Sequence, residues 1–433
     1  MLRKFHILLL FTAWTAFFAA CDDGFDDYST SPADVLTFST DTVAFDTIIS
    51  TIRTPFATFA IRNLSAKTLL ISSIALEKGG NFKINVDGRA GKTFEKIEIL
   101  AKDSIFVLVE AQASENQSDT PTEIIDRIVF VTNGVTQSVV LQAVAQDAEV
   151  HKTLTVTTDS TLSSAKPYLI YDSLVVQAGA TLRIPAGTCL YMHANAEIRV
   201  QGTLHLLGTE DNPVVIRGDR FDRTVGIPYD RIPGQWGGIY FASGSYDNVM
   251  EHARIRNGTY GLIFSEPEPT TTRSKMRMNN TVLTNFKGML LSATNCRIAF
   301  DHCELSNAKD GLLQLNGGEY TLDHCTLANY YFSGRQEYGW GTTDNATVFL
   351  HDNTQATFDH TIIWGTHYLS TSKINVAPEA ECDLRECLTD EDPKFRIIMS
   401  EDYIKADFIY DFRLQTDSPA WLPDGGYIGC YGV

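Results

Sequence analysis

A four-residue pattern recurs five times between residues 250 and 363. Each copy has an apolar residue, two polar residues and a small residue, and an aliphatic residue follows two positions later. The copies are Met250–Ala253, Met278–Thr281, Phe300–Cys303, Leu322–Cys325 and Phe358–Thr361. Their starts lie 28, 22, 22 and 36 residues apart, which is a period near 22 lengthened by insertions. Such a period is typical of a solenoid, because each repeat buries its apolar surface only against its neighbours.

Each repeat also contains a second apolar run that follows a glycine. These glycines are Gly238, Gly261, Gly288 and Gly311. β-Branched and aromatic residues are frequent in both runs, so one coil is predicted to hold three short strands joined by turns. A bend is expected at Asp301-His302, because an unbroken strand would point Phe300 and Cys303 to opposite faces.

These corners and glycine-led strands resemble the right-handed parallel β-helix of the pectate-lyase-like superfamily, over residues 165–380. The resemblance implies a polar ladder of stacked corner residues. Its members here would be His252, Asn280, His302, His324 and His360. The fold hosts lyases, hydrolases, esterases and non-catalytic adhesins, so it does not identify a reaction.

The first 20 residues are predicted to be a secretion signal, with Arg3 and Lys4 as its basic start and residues 7–18 as its apolar core. The sequence Phe18-Ala19-Ala20-Cys21 resembles a bacterial lipobox, which implies a lipid on Cys21 and an outer-membrane anchor. An acidic run follows, and it resembles the export signal of surface lipoproteins in the Bacteroidetes. Its members are Asp22, Asp23, Asp26 and Asp27. An ordinary signal peptide with an incidental cysteine is the alternative.

Three further segments follow the signal. Residues 21–34 are rich in Asp, Gly, Ser and Pro and are predicted to form a tether. Residues 35–147 contain short alternating strands separated by turns, which predicts an immunoglobulin-like β-sandwich that serves as a spacer or docking module. Residues 148–433 are predicted to form the β-helix with a C-terminal capping segment. The predicted fold class is therefore all-β.

The formal net charge is −18, and loss of Arg3 and Lys4 with the signal would make the chain more acidic. Such a charge repels nucleic acid, so no nucleic-acid partner is expected. It also weighs against polyuronates and sulfated glycans, unless a local basic groove or calcium is present. No cofactor is implied by any motif.

Seven cysteines remain besides Cys21, so they cannot all pair within one chain. Cys382 and Cys387 lie close enough in sequence to form a disulfide. Cys303 and Cys325 should stack one coil apart, about 4.7–4.9 Å, whereas a disulfide needs β-carbons nearer 3.8 Å. We therefore expect buried free thiols at these two positions.

The His302–His324 pair offers two interpretations. Two imidazoles one strand apart, beside Asp301 and Asp323, could bind a metal ion. The alternative is a structural corner ladder in which at least one ring stays neutral, because two charged rings would repel each other. No metal site is assigned from the sequence.

In β-helix enzymes of this kind, catalytic residues commonly lie on the outward side of the first strand of each coil. The outward positions predicted here are Tyr240, Ile263, Leu290 and Leu313, which are apolar or phenolic. A lyase needs a base and a hydrolase needs paired carboxylates, and neither is present. The stripe favours a binding or structural role, since exposed apolar surface usually marks an interface.

Two insertions, 219–235 and 329–345, should border this groove from the same side. The first supplies Asp219, Asp222 and Asp230 as alternative catalytic carboxylates. Aromatic residues around both insertions could stack on sugar rings, and together with the groove they give the predicted binding set. That set is Trp236, Tyr240, Tyr331, Tyr338 and Trp340. The competing interpretation pairs the aspartates with Arg220, Arg223 and Arg231 and packs the aromatics on the barrel.

The leading hypothesis is a non-catalytic cell-envelope lipoprotein whose β-helix binds a polysaccharide or an envelope protein. The alternative is a polysaccharide lyase or glycoside hydrolase that uses the aspartates of the first insertion. A third hypothesis is a structural part of a surface assembly, in contact through the apolar stripe.

Overall fold

The computed structural model describes residues 28–224, 227–267, 272–331, 347–365, 373–398 and 410–432. The predicted secretion signal, Cys21, Tyr338 and Trp340 lie outside the described residues. The described chain consists of strands and turns, with one short 3-10 turn at Tyr229–Arg231, so the predicted all-β class is confirmed. Within these ranges, no helix has the length and apolarity that crossing a membrane would require.

The chain divides into two compact units at Gln146 and Asp147. In the first unit, two five-stranded sheets share one buried core, to which Phe59 and Phe130 contribute from opposite sheets. One sheet has, in spatial order, Leu36–Phe38, Ala57–Asn63, Ser104–Ala111, Phe82–Val86 and Arg89–Gly91. The other has Thr42–Ile49, Val135–Gln146, Thr122–Thr132, Leu69–Leu76 and Thr93–Ile99. This is a two-layer sandwich, and its kinship to immunoglobulin-like domains stays a prediction.

In the second unit, 23 described strands form one continuous sheet that winds in coils of three. Paired strands of successive coils run parallel, so the unit is a parallel β-helix with three faces. The first face comprises the second halves of Glu149–Val156 and Tyr168–Val176, then Glu197–Val200, Gly238–Phe241, Leu262–Ser265, the first halves of Leu291–Asp301 and Leu313–Asp323, Val348–Leu350 and Ile374–Val376.

The other two faces follow in each coil. The second face comprises Ser160–Thr161, Thr181–Pro185, Thr203–Leu207, Asn248–Glu251, Met276–Asn279, the second halves of Leu291–Asp301 and Leu313–Asp323, Thr354–Asp359 and Glu381–Arg385. The third face comprises the first halves of Glu149–Val156 and Tyr168–Val176, then Cys189–Met192, Val214–Gly218, Ala253–Arg256, Val282–Phe286, Glu304–Ala308, Thr326–Asn329 and Ile362–Gly365. Two short antiparallel pairs lie outside the coils, Arg223–Thr224 with Ile227–Pro228 and Phe395–Ile397 with Asp411–Leu414.

Inward side chains stack in columns, one residue from each coil. Met250, Met278, Phe300, Leu322 and Phe358 form one such column, and each is at most 2% exposed. These are the first residues of the five repeated motifs, so the predicted solenoid with three strands per coil is confirmed. Continuous apolar columns are the main source of its stability, because burial of apolar surface dominates folding free energy.

Residues 410–432, called the C-terminal strap below, lie along the third face. The Gly429 amide donates to the carbonyl oxygen of His360 at 2.7 Å, and the Cys430 amide donates to Oγ1 of Thr326 at 3.0 Å. Phe412 and Ile428 of the strap belong to a core separate from that inside the coils. The segment predicted to cap the β-helix therefore covers part of its third face; its capping role stays a prediction.

The described cysteines are all free thiols. Cys303 and Cys325 are fully buried and follow equivalent corner residues in adjacent coils, which confirms the predicted buried thiols. Cys382 and Cys387, which the sequence allowed as a pair, are not bonded to each other.

Candidate functional site

The corner between the second and third faces is a ladder of six residues with left-handed backbone. Their φ angles lie between 42° and 50°, a region that Asn and His tolerate better than most residues. The members are His252, Asn280, His302, His324, His360 and Glu386. The His302 amide donates to the carbonyl oxygen of Asp323 in the next coil. The His324 amide donates in the same way to the carbonyl oxygen of Asp359. The predicted ladder is confirmed, and Glu386 extends it.

Three imidazoles of this ladder are stacked face to face. The centroids of His302 and His324 are 4.9 Å apart and those of His324 and His360 are 4.7 Å apart, with planes within 4° of parallel. In each case Nδ1 lies 2.7 Å from a carboxylate oxygen of the preceding aspartate. At the ends of the stack, the Tyr427 hydroxyl lies 3.1 Å from Nε2 of His302 and Glu386 lies 3.1 Å from Nε2 of His360. Each ring is thus oriented by its neighbours and its own aspartate.

The stack does not form a metal site in this arrangement. Potential ligand atoms of Asp323, His324 and His360 lie within 4.8 Å of one another. A zinc ion bound at about 2.0–2.1 Å needs two nitrogens whose lone pairs converge. The lone pairs of parallel rings instead run side by side, and the Nδ1 atoms already contact aspartates. In this geometry the stacked rings do not offer a zinc ion two converging nitrogens.

The predicted apolar stripe on the first face is wrong. Tyr240 and Ile263 are neighbours on adjacent strands, but Leu290 and Leu313 are fully buried. Leu313 pairs with Leu291 in an inward column. The cause is a displaced register: the outward positions are Ser292, two residues after Leu290, and Gln314, one residue after Leu313.

The outward positions of the first face form a mixed column instead. Tyr240, Ile263 and Phe349 are partly exposed, and two hydrogen-bonding side chains lie between Ile263 and Phe349. The members, called the first-face column below, are Val175, Arg199, Tyr240, Ile263, Ser292, Gln314, Phe349 and Asn375. Successive members are one strand spacing apart, about 4.7–4.9 Å. The column presents a ribbon in which apolar and polar groups are mixed.

The predicted aromatic set is only partly on this surface. Trp236 is 1% exposed and its indole Nε1 donates to the carbonyl oxygen of Arg256 at 2.9 Å, so the prediction of a free ring face is wrong. Tyr331 follows a third-face strand, where its amide donates to Oδ1 of Asn329. Tyr240 alone of the described set belongs to the first-face column. Tyr338 and Trp340 lie outside the described residues.

The three predicted carboxylates are each engaged by a different partner. Asp219 lies 2.6 Å from Nδ1 of His193, and Asp222 pairs with Arg220 as the competing interpretation expected. Asp230 accepts from Arg256 at 3.0 and 3.1 Å, and it also contacts Arg217 at 3.2 Å and Asn257 at 2.9 Å. Arg217 and Arg256 lie on the third face, so Asp230 ties the insertion to that face.

A pocket of about 270 Å³ opens on the third face, beside the corner ladder. Sequence reasoning missed it. Arg254, Val282 and Glu304 occupy successive outward positions of one column, two residues after a ladder member in each coil. Ladder residues border one side of the pocket, and Cys430 and Tyr431 of the C-terminal strap border the other. The two-residue offset from the ladder could have identified the column of Arg254, Val282 and Glu304. It could not have shown that the C-terminal strap lies beside that column.

Glu304 is held firmly in this third-face pocket. Its two carboxylate oxygens accept hydrogen bonds from the Ser306 hydroxyl, at 2.6 Å, and from the Tyr431 hydroxyl. Burial raises the pKa of Glu304; the two hydroxyl donors and the charge of Arg254 oppose that shift, whereas Asp411 adds to it. Burial and the Glu304 carboxyl likewise raise the pKa of Tyr431 far above its usual range. The site therefore holds a carboxyl group that resists ionisation.

Glu304→Gln is expected to stabilise the protein increasingly as pH rises. A carboxyl whose pKa is raised by folding causes no penalty below its unfolded pKa, about 4.3, and destabilises the folded state as pH rises above it. The glutamine keeps the acceptor for Tyr431 and cannot ionise. Melting temperatures of wild type and variant should coincide near pH 4 and separate towards pH 8, with the variant higher. Glu379→Gln, at an exposed position, is the control; parallel curves for Glu304→Gln and wild type would contradict the prediction.

Comparisons with known proteins support the fold of the second unit. Residues 154–262 match the family model described as a pectate-lyase-like beta helix domain. No curated protein sequence matches the chain.

The structural similarities found are weak. A family 123 glycoside hydrolase from Clostridium perfringens is 9% identical over 28% of this chain and 26% of that chain, with a TM-score of 0.19. The alkylpurine DNA glycosylase AlkC of Pseudomonas fluorescens is 11% identical over 25% of this chain and 30% of that chain, with a TM-score of 0.17. The Agl-KA catalytic domain is 9% identical over 77% of this chain and 91% of that chain, with a TM-score of 0.28. This chain spans less than a third of the first two proteins, and at these TM-scores none of the three supports an inference about function.

Proposed function

We propose that the protein is a cell-envelope lipoprotein whose β-helix binds a glycan along its first face without cleaving it. The observation that carries this proposal is the first-face column. Tyr240, Ile263 and Phe349 offer apolar surface. Ser292 and Gln314 offer hydrogen-bonding groups between Ile263 and Phe349, and Arg199 offers them next to Tyr240. A sugar chain has the complementary character, since its rings have apolar faces and hydroxyl-bearing edges.

The same column argues against catalysis on this face. Its eight members include no carboxylate. The arginine among them, Arg199, donates through its guanidinium to the Glu197 carboxylate at 2.9 and 2.8 Å. A glycoside hydrolase of the common type needs two carboxyl groups flanking the bond, and a lyase needs a free base. The alternative of a lyase or hydrolase that uses Asp219, Asp222 or Asp230 is less well supported, because each of these carboxylates is engaged elsewhere.

Removing the aromatic rings of the column should weaken glycan binding. The purified protein would first be screened on a glycan array, and the retained glycan would be titrated against Tyr240→Ala, Phe349→Ala and the double variant. Each ring is expected to contribute about tenfold in affinity, or about 1.4 kcal/mol. Phe106→Ala, an exposed aromatic in the first unit, is the matched control. Equal affinity of the double variant and wild type would contradict the proposal.

The anchor is tested separately. The lipobox-like sequence before Cys21 supports attachment of a lipid to that cysteine and residence in the outer membrane, with the cell surface as the proposed side. Cells fed an alkyne-labelled fatty acid should label the wild-type protein and not Cys21→Ser. Equal labelling of both proteins would exclude Cys21 as the attachment point, and absence of any label would exclude the lipoprotein assignment.

A further inference from the structure

The geometry points to a second binding site, independent of the first face, in the third-face pocket, where one neutral sugar ring is held between Arg254 and Glu210. The pocket lies between the corner ladder and the C-terminal strap, and no residue of the first-face column lines it. It belongs to a different side of the coils, so either site can exist without the other.

The size of the pocket limits the ligand. Sites for drug-sized molecules usually measure about 300–1,000 Å³. A volume of about 270 Å³ lies just below that range and suits a single six-membered ring with its substituents. A longer chain could enter only by its terminal residue. The pocket therefore differs in kind from the extended first-face column.

Two exposed charged side chains, Arg254 and Glu210, define the chemistry of the ligand. Within the described parts of the chain, neither the Arg254 guanidinium nor the Glu210 carboxylate has a hydrogen bond or an ion pair, although both line the pocket. A guanidinium only donates hydrogen bonds and a carboxylate only accepts them. The ligand must then offer acceptors to Arg254 and donors to Glu210, and hydroxyl groups do both.

Charged ligands fit this arrangement less well. An anion attracted by Arg254 would also face the Glu210 carboxylate, and a cation would face Arg254. Neighbouring hydroxyls of a neutral ring can accept from Arg254 and donate to Glu210 at the same time.

The remaining walls are suited to a sugar as well. Val282 supplies an apolar surface at the centre of the column, and the ladder residue Asn280 supplies an amide that can donate and accept. Glu304 has its orientation fixed by Ser306 and Tyr431, and each of its oxygens keeps a further lone pair. The site thus combines an apolar face with hydrogen-bonding groups around it.

Ligand-observed NMR and titration calorimetry on the purified full-length protein test this inference. The probes are glucose, galactose and N-acetylglucosamine, with glucuronate and glucosamine as charged comparators. Arg254→Met removes the donors and keeps the aliphatic stem; Val282→Trp fills the pocket. Phe106→Ala, at an exposed position in the first unit, is the control, and melting curves check that each variant is folded.

The expected result is that at least one neutral sugar binds the wild type. Arg254→Met should weaken this binding at least about tenfold and Val282→Trp should abolish it, while Phe106→Ala leaves it unchanged. The inference is overturned if no neutral sugar binds, if only glucuronate or glucosamine binds, or if Arg254→Met binds as wild type does. Should Val282→Trp fail to fold, Arg254→Met decides alone, because Arg254 is exposed and its loss leaves no cavity. Loss of glycan binding in Tyr240→Ala with monosaccharide binding retained would separate the two sites.

Discussion

Replacing Gly261 with alanine is expected to destabilise the β-helix by about 3 kcal/mol, because the coils leave no room for a side chain there. A Cβ atom at this position would lie 1.8 Å from the carbonyl oxygen of Leu290 and 2.8 Å from its carbonyl carbon. These are backbone atoms of the next coil, and they are held by the amides of Gly261 and Leu262, which donate to Met289 and Leu290. The strands must separate locally to admit the methyl group.

Gly244→Ala is the matched control, since no atom lies within 4 Å of the Cβ that it would add. Denaturant unfolding followed by tryptophan fluorescence reports the β-helix selectively, because the described tryptophans, Trp236, Trp364 and Trp421, all lie in the second unit. Comparable midpoints for the two alanine variants would show that the coils do not approach so closely at Gly261.

At the centre of the ladder, His324→Val should destabilise the same unit by about 2–3 kcal/mol. His324 has φ of 46°, a conformation in which a β-branched residue is strained. The substitution also removes two ring stacks, at 4.9 and 4.7 Å, and the bond to Asp323. His324→Asn should cost less than about 1 kcal/mol, because Asn tolerates the left-handed region and already occupies the equivalent position at Asn280.

The comparison between the two variants is the informative quantity. Both lose the imidazole stack, so their difference isolates the backbone strain of the corner. Unfolding midpoints measured by tryptophan fluorescence should rank wild type first, His324→Asn second and His324→Val well below both. Equal destabilisation by Asn and Val would mean that the left-handed corner does not constrain residue choice.

The coil architecture could be predicted from sequence because its determinants are local and repeated. The apolar residue and small residue of each motif, such as Phe300 and Cys303, must both point inward, and only a bend between them allows this. The bend in turn requires a residue that tolerates left-handed backbone, and His302 meets that requirement. The repeated motif, the bend and the ladder thus all follow from the requirement that the residues on both sides of the bend point inward.

The outward side of the first face could not be predicted equally well, because turn lengths before it vary. Gly238 and Gly261 begin equivalent strands, but in the next two coils Leu290 and Leu312 occupy the equivalent position. Gly288 lies upstream of it, so counting from the glycines gave the wrong register. The hydrophobicity of the residues could not correct the error, since an apolar residue such as Leu290 was compatible with the exposed stripe that the sequence predicted.

The third-face pocket could not be predicted from the sequence and was found only in the tertiary structure. Glu210, Arg254 and Glu304 are brought together by coil stacking, which the repeat period allows one to infer. Tyr431 arrives through a strap that returns past the coil of Thr326, and no periodicity encodes that path. The repeat period also does not predict the contacts of the insertion that follows Val214–Gly218. Its Asp230 pairs with Arg217 and Arg256 of the coils.

The central claim is that the first face binds a glycan and leaves it intact. Its most direct test is to incubate the purified protein with the glycan that it retains on an array, and to measure both the bound fraction and the chain-length distribution of the glycan by mass spectrometry. The account predicts saturable binding that depends on Tyr240 and Phe349, with no shortening of the glycan after prolonged incubation. Shortened or unsaturated products that disappear in an Asp219→Asn, Asp222→Asn or Asp230→Asn variant, or binding that ignores the loss of both rings, would contradict it.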